Sequence, residues 1–178
     1  MLLAIHILMA PVVPELRSAD PTQARPIKIG AAVLSPEGAQ LQSFDGFIKP
    51  QGWRVPKAAG VLTVDANRGV SLVTAMAVIS DWRGLRLSGL VLYGAKHTGE
   101  QYRVCREICG MRGVRRHRQR KMPIFDLATE AMQVLGGATL VPLASATEQI
   151  CGERIAGLAG LLALNGHPEI LKIREASK

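Results

Sequence analysis

An α/β fold built on a mixed five-stranded sheet flanked by helices is predicted by three features of the sequence. The run Leu2 to Val13 is almost continuously apolar, as a central strand covered on both faces must be. Two further strand-like stretches, Pro26 to Leu34 and Ala39 to Lys49, are separated only by Ser35-Pro36-Glu37-Gly38, a tight turn with Pro at its second position. They return on the first run as an antiparallel meander. A fourth apolar stretch, Leu87 to Tyr93, follows a helical segment, and that intervening helix makes it parallel to the first strand.

Each element follows from local chemistry. Pro11 and Pro14 end the first strand, and the polar, Pro-containing stretch Glu15 to Pro26 reads as a loop. Pro50-Gln51-Gly52 stops the third strand, because Pro cannot donate to a ladder and Gly relaxes the backbone. Trp53-Arg54-Val55-Pro56 is an extended hinge, with Val55 restricted by the Pro after it. A short helical turn and an Asn-Arg-Gly break lead to a helix over Val70 to Trp82, with Val70, Val73, Ala77 and Val78 near a common face. Thr98 to Cys109 is helical, with Tyr102, Cys105, Ile108 and Cys109 on one apolar side. Pro123 to Leu127 is a brief fifth strand, and Asp126 caps the helix Ala128 to Leu135 that Gly136-Gly137 ends. A polar-capped helix near Ala144 to Cys151 and a small-residue helix, Arg154 to Leu164, follow. Residues 1–165 form one domain, and 166–178 are expected to be a peripheral tail.

The 178 residues suffice for one full core, with 48% apolar and 20% charged residues. Aromatic residues are 4%, too few for an extended base-stacking platform. The net charge of +8 favours an anionic partner. Most of it is local: Arg112, Arg115, Arg116, Arg118, Arg120 and Lys121 occur in one stretch with no acid among them. Three cysteines do not suggest a disulfide framework. Cys105 and Cys109, four apart, have no second Cys or His pair at zinc spacing, so buried apolar thiols are the expectation. Met1 to Val13 lacks a basic start and a small-residue cleavage site and is too short to span a bilayer, which points to a cytoplasmic protein with no membrane partner. No phosphate-binding loop, dinucleotide fingerprint or nucleophile elbow is present.

The stretch Phe44 to Val70, FDGFIKPQGWRVPKAAGVLTVDANRGV, carries a more specific signal. Its order of strand, IKP, VP with small residues, short turn, GV and long helix resembles the DnaQ-like (DEDDh) 3′–5′ exonucleases, which have the RNase H-like fold. The resemblance runs, more weakly, from about Ile5 to Leu164. It implies two-metal-ion chemistry, with four carboxylates holding two divalent cations and a His acting as general base.

The residues at the corresponding places are of other types. The family's first strand ends in Asp-x-Glu, where this chain has Met9 and Pro11. Thr98 stands for the Asp after the fourth strand, and Gly157 and Leu162 stand for the His and Asp of the closing helix. Met1 to Pro14 and Ile155 to Leu164 contain no Asp or Glu. Asp126 matches an acid of the family that is not a metal ligand. A site rebuilt from Glu15, Asp20, Glu100 and Glu153 needs four independent relocations to one point. No catalytic residue and no metal are therefore expected, with Mg²⁺ or Mn²⁺ entering only if such a rearranged site exists.

What remains is the basic segment. Clustered cations are the footprint of phosphate contacts, although a solvated, solubilising loop has the same composition. Arg115, Arg116 and Arg118 are the leading candidates, with Arg112, Arg120 and Lys121 as helpers and Lys49, Arg54 and Lys57 as further cations. His97, beside Lys96, is a candidate phosphate contact or a plain loop residue. His6 is expected in the core or at an edge. The leading expectation is an inactive exonuclease-like domain that binds DNA or RNA, an accessory part of a nucleic-acid-handling assembly. The alternatives are a protein-interaction module and an exonuclease with a rearranged metal site.

Overall fold

The computed structural model describes residues 1–10, 25–51, 55, 63–82, 85–110, 122–137 and 139–176. The strands are β1 (Leu2–Met9), β2 (Pro26–Leu34), β3 (Gln40–Phe47), β4 (Gly89–Leu92) and β5 (Ile124–Asp126). The helices are α1 (Thr63–Asn67), α2 (Leu72–Trp82), α3 (Ala95–Ile108), α4 (Leu127–Leu135), α5 (Leu143–Cys151), α6 (Gly157–Asn165) and α7 (Pro168–Ala176).

The sheet has the order β3-β2-β1-β4-β5. The first three strands are antiparallel, and β1, β4 and β5 run parallel. This is the mixed five-stranded sheet that the sequence predicts. The second strand has the expected bounds. Its turn closes through Gly38 N–H donating to the Ser35 carbonyl at 3.1 Å, with the Ser35 hydroxyl accepting from Glu37 and Ala39 N–H. β1 stops at Met9, pairing with Pro26 after a register shift at Leu8/Met9.

Side-chain alternation divides the core between two faces. Leu3, Ile5 and Ile7 of β1 join Ile29, Ala31 and Val33 of β2 under α2 and α3. Ala4, Ala32 and Leu34 join Val91 and the apolar sides of α4, α5, α6 and α7 on the other face. The result is a three-layer α/β/α domain with β1 at its centre.

Three helical expectations are corrected. The buried side of α2 is Leu72, Ala75, Met76 and Ile79, and Val73 is 55% exposed. Ser71 supplies the reason: its hydroxyl accepts from Thr74 N–H at 3.0 Å, which starts the helix there and sets the phase. α5 begins after Pro142 with no side-chain cap, where a polar cap was expected. Residues 166–178 do not form a peripheral tail over α7. Ile170 is fully buried in the second core, and Arg174 pairs with Glu130 of α4 at 2.8 Å. The buried Ile170 and the Arg174–Glu130 pair seat the helix, while Leu171 stays exposed.

Glycine is required where chains cross closely. A Cβ on Gly69 would strike the Phe47 carbonyl, just before the bridge that joins Ile48 to Val70. Gly30 of β2 lies under α6, where a Cβ would come 2.6 Å from Leu158 Cβ. Among the described residues no helix is long and apolar enough to cross a membrane.

Candidate functional site

The carboxyl ends of the parallel strands β1 and β4 open into a cleft of about 470 Å³. Crevices outside such strand ends are where open α/β sheets bind ligands. The end of β1 contributes His6 to Met9, the β4–α3 corner contributes Tyr93 and Gly94, and α3 contributes His97, Thr98 and Gln101. Leu140 to Leu143, leading into α5, form the opposite wall.

The β4–α3 corner is built by backbone chemistry. Gly94 adopts φ +68°, which turns the strand into the helix. The Asp126 carboxylate then accepts from Gly94 N–H at 2.8 Å and Ala95 N–H at 3.0 Å, and also from Ala128 N–H at 3.1 Å. One side chain thus caps α3 as well as α4, where the sequence predicts only the second role. The neighbouring Asp126 charge and burial together raise the pKa of Tyr93, with burial the larger cause. The Tyr93 hydroxyl donates to the Val141 carbonyl, tying the two walls together.

On the α3 side, Thr98 is buried and its hydroxyl donates to the Tyr93 carbonyl at 2.9 Å. The buried Gln101 amide nitrogen lies 3.0 Å from His97 Nε2, and it donates to that nitrogen when the ring is neutral. A second groove of about 390 Å³ shares Gly94, His97 and Leu140 with the cleft and continues past Lys96, Glu100 and Thr129. His97 therefore stands on the ridge between two connected depressions.

On the β1 side, His6 pairs with Gly30, and Gly30 pairs with Asp45. Residues opposite one another in antiparallel strands point to the same face, so this row faces α6. Burial holds the His6 pKa below its usual value; Asp45 acts to raise it and Lys28 to lower it. Lys28 and Asp45 are themselves paired at 2.9 Å.

The candidate residues are only partly assembled. Met9 and Thr98 line the same cleft, and Met9 packs on the core under α2 and α3. Gly157 opens α6 at φ +66°, and Leu162 is packed against the second core. Neither residue lines the cleft. Glu100 and Glu153 are exposed and lie apart, the first on the adjoining groove and the second after α5. Pro11, Glu15, Asp20, Arg54, Lys57 and the whole segment Arg112, Arg115, Arg116, Arg118, Arg120 and Lys121 lie outside the described residues. Lys49 is exposed just after β3.

The donor set does not fit a hard divalent cation. Such ions need anionic oxygens, and the described cleft side chains offer imidazoles, an amide, committed tyrosine and threonine hydroxyls and hydrocarbon. Among the described residues no cluster of three or more His, Cys, Asp and Glu forms a metal site. Cys105 is buried, with its thiol pushed up to about 12 chiefly by burial. Gln101 was not singled out in the sequence. Its spacing of four from His97 on a helix was the available signal.

No family model and no curated protein matches the chain. Solved structures do. Exonuclease I of E. coli in a complex with single-stranded DNA superposes with a TM-score of 0.73 at 14% identity, covering 99% of this chain and 41% of that one. The same enzyme bound to a dT13 oligonucleotide gives 0.71 at 15% identity, again over 99% and 41%. A 3′-exonuclease that recognises the histone mRNA stem-loop gives 0.60 at 10% identity, over 97% and 61%. The chain thus spans about two fifths of the exonuclease I length. The shared fold is the RNase H-like arrangement of three antiparallel strands followed by parallel ones.

Proposed function

We propose that this chain is a nucleic-acid-binding domain of the exonuclease type that holds a polynucleotide without cleaving it. The observation that carries the reading is the cleft at the ends of β1 and β4, whose described lining contains no carboxylate. The fold supports a nucleic-acid role, since the structural neighbours include complexes with single-stranded DNA and with an mRNA stem-loop.

Strand geometry supports placing the first acid pair of such a nuclease at His6 and Leu8 as readily as at Met9 and Pro11. His6 faces α6, and the alternation puts Leu8 on that side too. Either placement leaves the pair without an acid. On the α6 side, Gly157 and Leu162 provide no proton-transfer group or ligand. Affinity is then assigned to the basic segment Arg112 to Lys121, whose contacts with phosphates are sequence-independent and weaken with salt.

The test is incubation of labelled single-stranded DNA and RNA with the protein and Mn²⁺, beside a binding assay at two salt concentrations. The reading expects intact strands, binding that falls at the higher salt, and loss of that binding in the Arg115/Arg116/Arg118→Ala variant. Degradation blocked by EDTA would overturn it and favour relocated carboxylates. Neither binding nor cleavage would favour a protein-docking role, for which the 56% exposed Leu140 at the cleft mouth is the specific feature.

A further inference from the structure

Neither imidazole of the cleft is given a ligand contact in the reading above. His6 comes from β1 and His97 from α3, and both line the same space. Around them the walls are mostly apolar: Ile7, Leu8, Met9 and Leu143. The hydroxyls nearby are committed, Tyr93 to the Val141 carbonyl and Thr98 to the Tyr93 carbonyl. Gln101 engages Nε2 of His97, which leaves Nδ1 to offer.

We propose that this cleft is a binding site for a phosphate monoester, held between the ring N–H donors of His6 and His97. It deepens the proposed function, since the terminal phosphate of a bound strand is the natural source of such a group. The half-buried His6 and the exposed His97 offer donors from two sides of a mostly apolar cleft, and hydrogen bonds to an anion strengthen where hydrocarbon lies around them. The surrounding charges do not forbid it. Lys28 of β2 and Asp45 of β3 lie near His6 and offset each other as an ion pair. Lys96 and Glu100 of α3 carry opposite charges beside His97. Asp126, at the end of β5, turns its oxygens to three backbone N–H groups.

Protonation makes the site conditional. Burial keeps His6 neutral at alkaline and neutral pH, so the cleft is then poor in positive charge. As pH falls, His6 takes up a proton and becomes a charge-assisted donor to the anion. The monoester loses its second charge below about pH 6. Binding is therefore bell-shaped, falling on the alkaline side as His6 loses its proton and on the acid side as the monoester loses its second charge.

The experiment follows the imidazole resonances of the full chain by NMR during titration with inorganic phosphate. Dinucleotides ending in 3′-phosphate, 5′-phosphate and 3′-hydroxyl are then compared at pH 6. The expected result is a saturable shift of the His6 and His97 signals with phosphate, and a rise of about one unit in the His6 pKa, equivalent to tenfold tighter binding to its protonated form. His6→Gln loses the bell, and His97→Gln weakens phosphate binding about tenfold. A dinucleotide phosphate that outcompetes the free ion identifies the strand end as the source, and equal competition identifies free phosphate. Unmoved His6 and His97 signals, or movement of His167 alone, would overturn the site. Salt-dependent strand binding that is indifferent to the end group, with the His6 and His97 signals unmoved by phosphate, would overturn the site while leaving the polyanion reading standing. Phosphate shifts without affinity for any strand would support the site and remove that reading.

Discussion

Asp126 accepts from the Gly94 N–H at 2.8 Å across 32 residues of chain, joining the end of β5 to the corner where β4 becomes α3. The same carboxylate serves Ala95 and Ala128, so two helix starts depend on one side chain. Replacing a single capping aspartate by alanine costs about 1 kcal/mol. With three amides orphaned together, Asp126→Ala is expected to cost about 2 to 3 kcal/mol. Asp126→Asn, which keeps one acceptor oxygen, should recover part of it. Urea unfolding of the three proteins measures both differences.

Gly160 is the corresponding point on α6. A Cβ there would strike the Ile155 carbonyl, which accepts from the Thr147 hydroxyl at 2.8 Å. Gly160→Ala should therefore destabilise by about 2 kcal/mol despite its better helix propensity. Gly137→Ala is the control, since nothing lies near its Cβ, and it should change stability by less than about 0.5 kcal/mol. An equal effect of the two on the denaturation midpoint would show that the α5–α6 approach is softer than described.

The Arg174–Glu130 pair is nearly buried, with side chains 11% and 12% exposed, and Arg174 also donates to Asn165 Oδ1 at 2.7 Å. Its guanidinium lies over the Phe125 ring, 4.9 Å from the centroid. Glu130→Ala leaves that cation half-enclosed without its partner and is expected to cost about 3 kcal/mol. Removing both residues should cost less than the sum of the single changes, and a double-mutant cycle gives the difference.

The pH dependence of stability follows from His6. Its folded pKa is depressed from the ordinary 6.5, chiefly by burial, so the unfolded chain takes up the proton first. Stability from keeping it neutral is full above 6.5 and is lost as pH falls toward the lower folded value. His6→Gln should flatten the acid limb below about pH 6.5 in thermal melts. An acid limb unchanged by the substitution would mean that carboxylates elsewhere govern it.

How much of this was legible varies with the physics of each part. The meander was readable because Ser35-Pro36-Glu37-Gly38 is unambiguous turn chemistry and Pro26 to Leu34 has a single plausible partner. The phase of α2 was not, because LVTAMAVIS is apolar on more than one side and only the Ser71 cap decides between them. α7 escaped notice because its seat depends on Ile170 and on Arg174 reaching Glu130, a relation between distant positions. The cleft was half legible. Thr98 and His97 were placed beside it, but Gln101 and the wall from Leu140 to Leu143 arrive through tertiary packing.

The centrality of β1 also sets the order in which this protein can be made. Leu2, Leu3 and Ala4 pair in parallel with Gly89, Leu90 and Val91, so a greasy strand waits through nearly ninety residues of synthesis for one of its neighbours. The second layer waits longer still, until Ile170 and Arg174 emerge to close over Leu127 and Glu130. During that interval the antiparallel meander of β1, β2 and β3 is the native part available, one face uncovered. Long-range parallel pairing slows completion, and the uncovered apolar face is the part exposed to aggregation meanwhile.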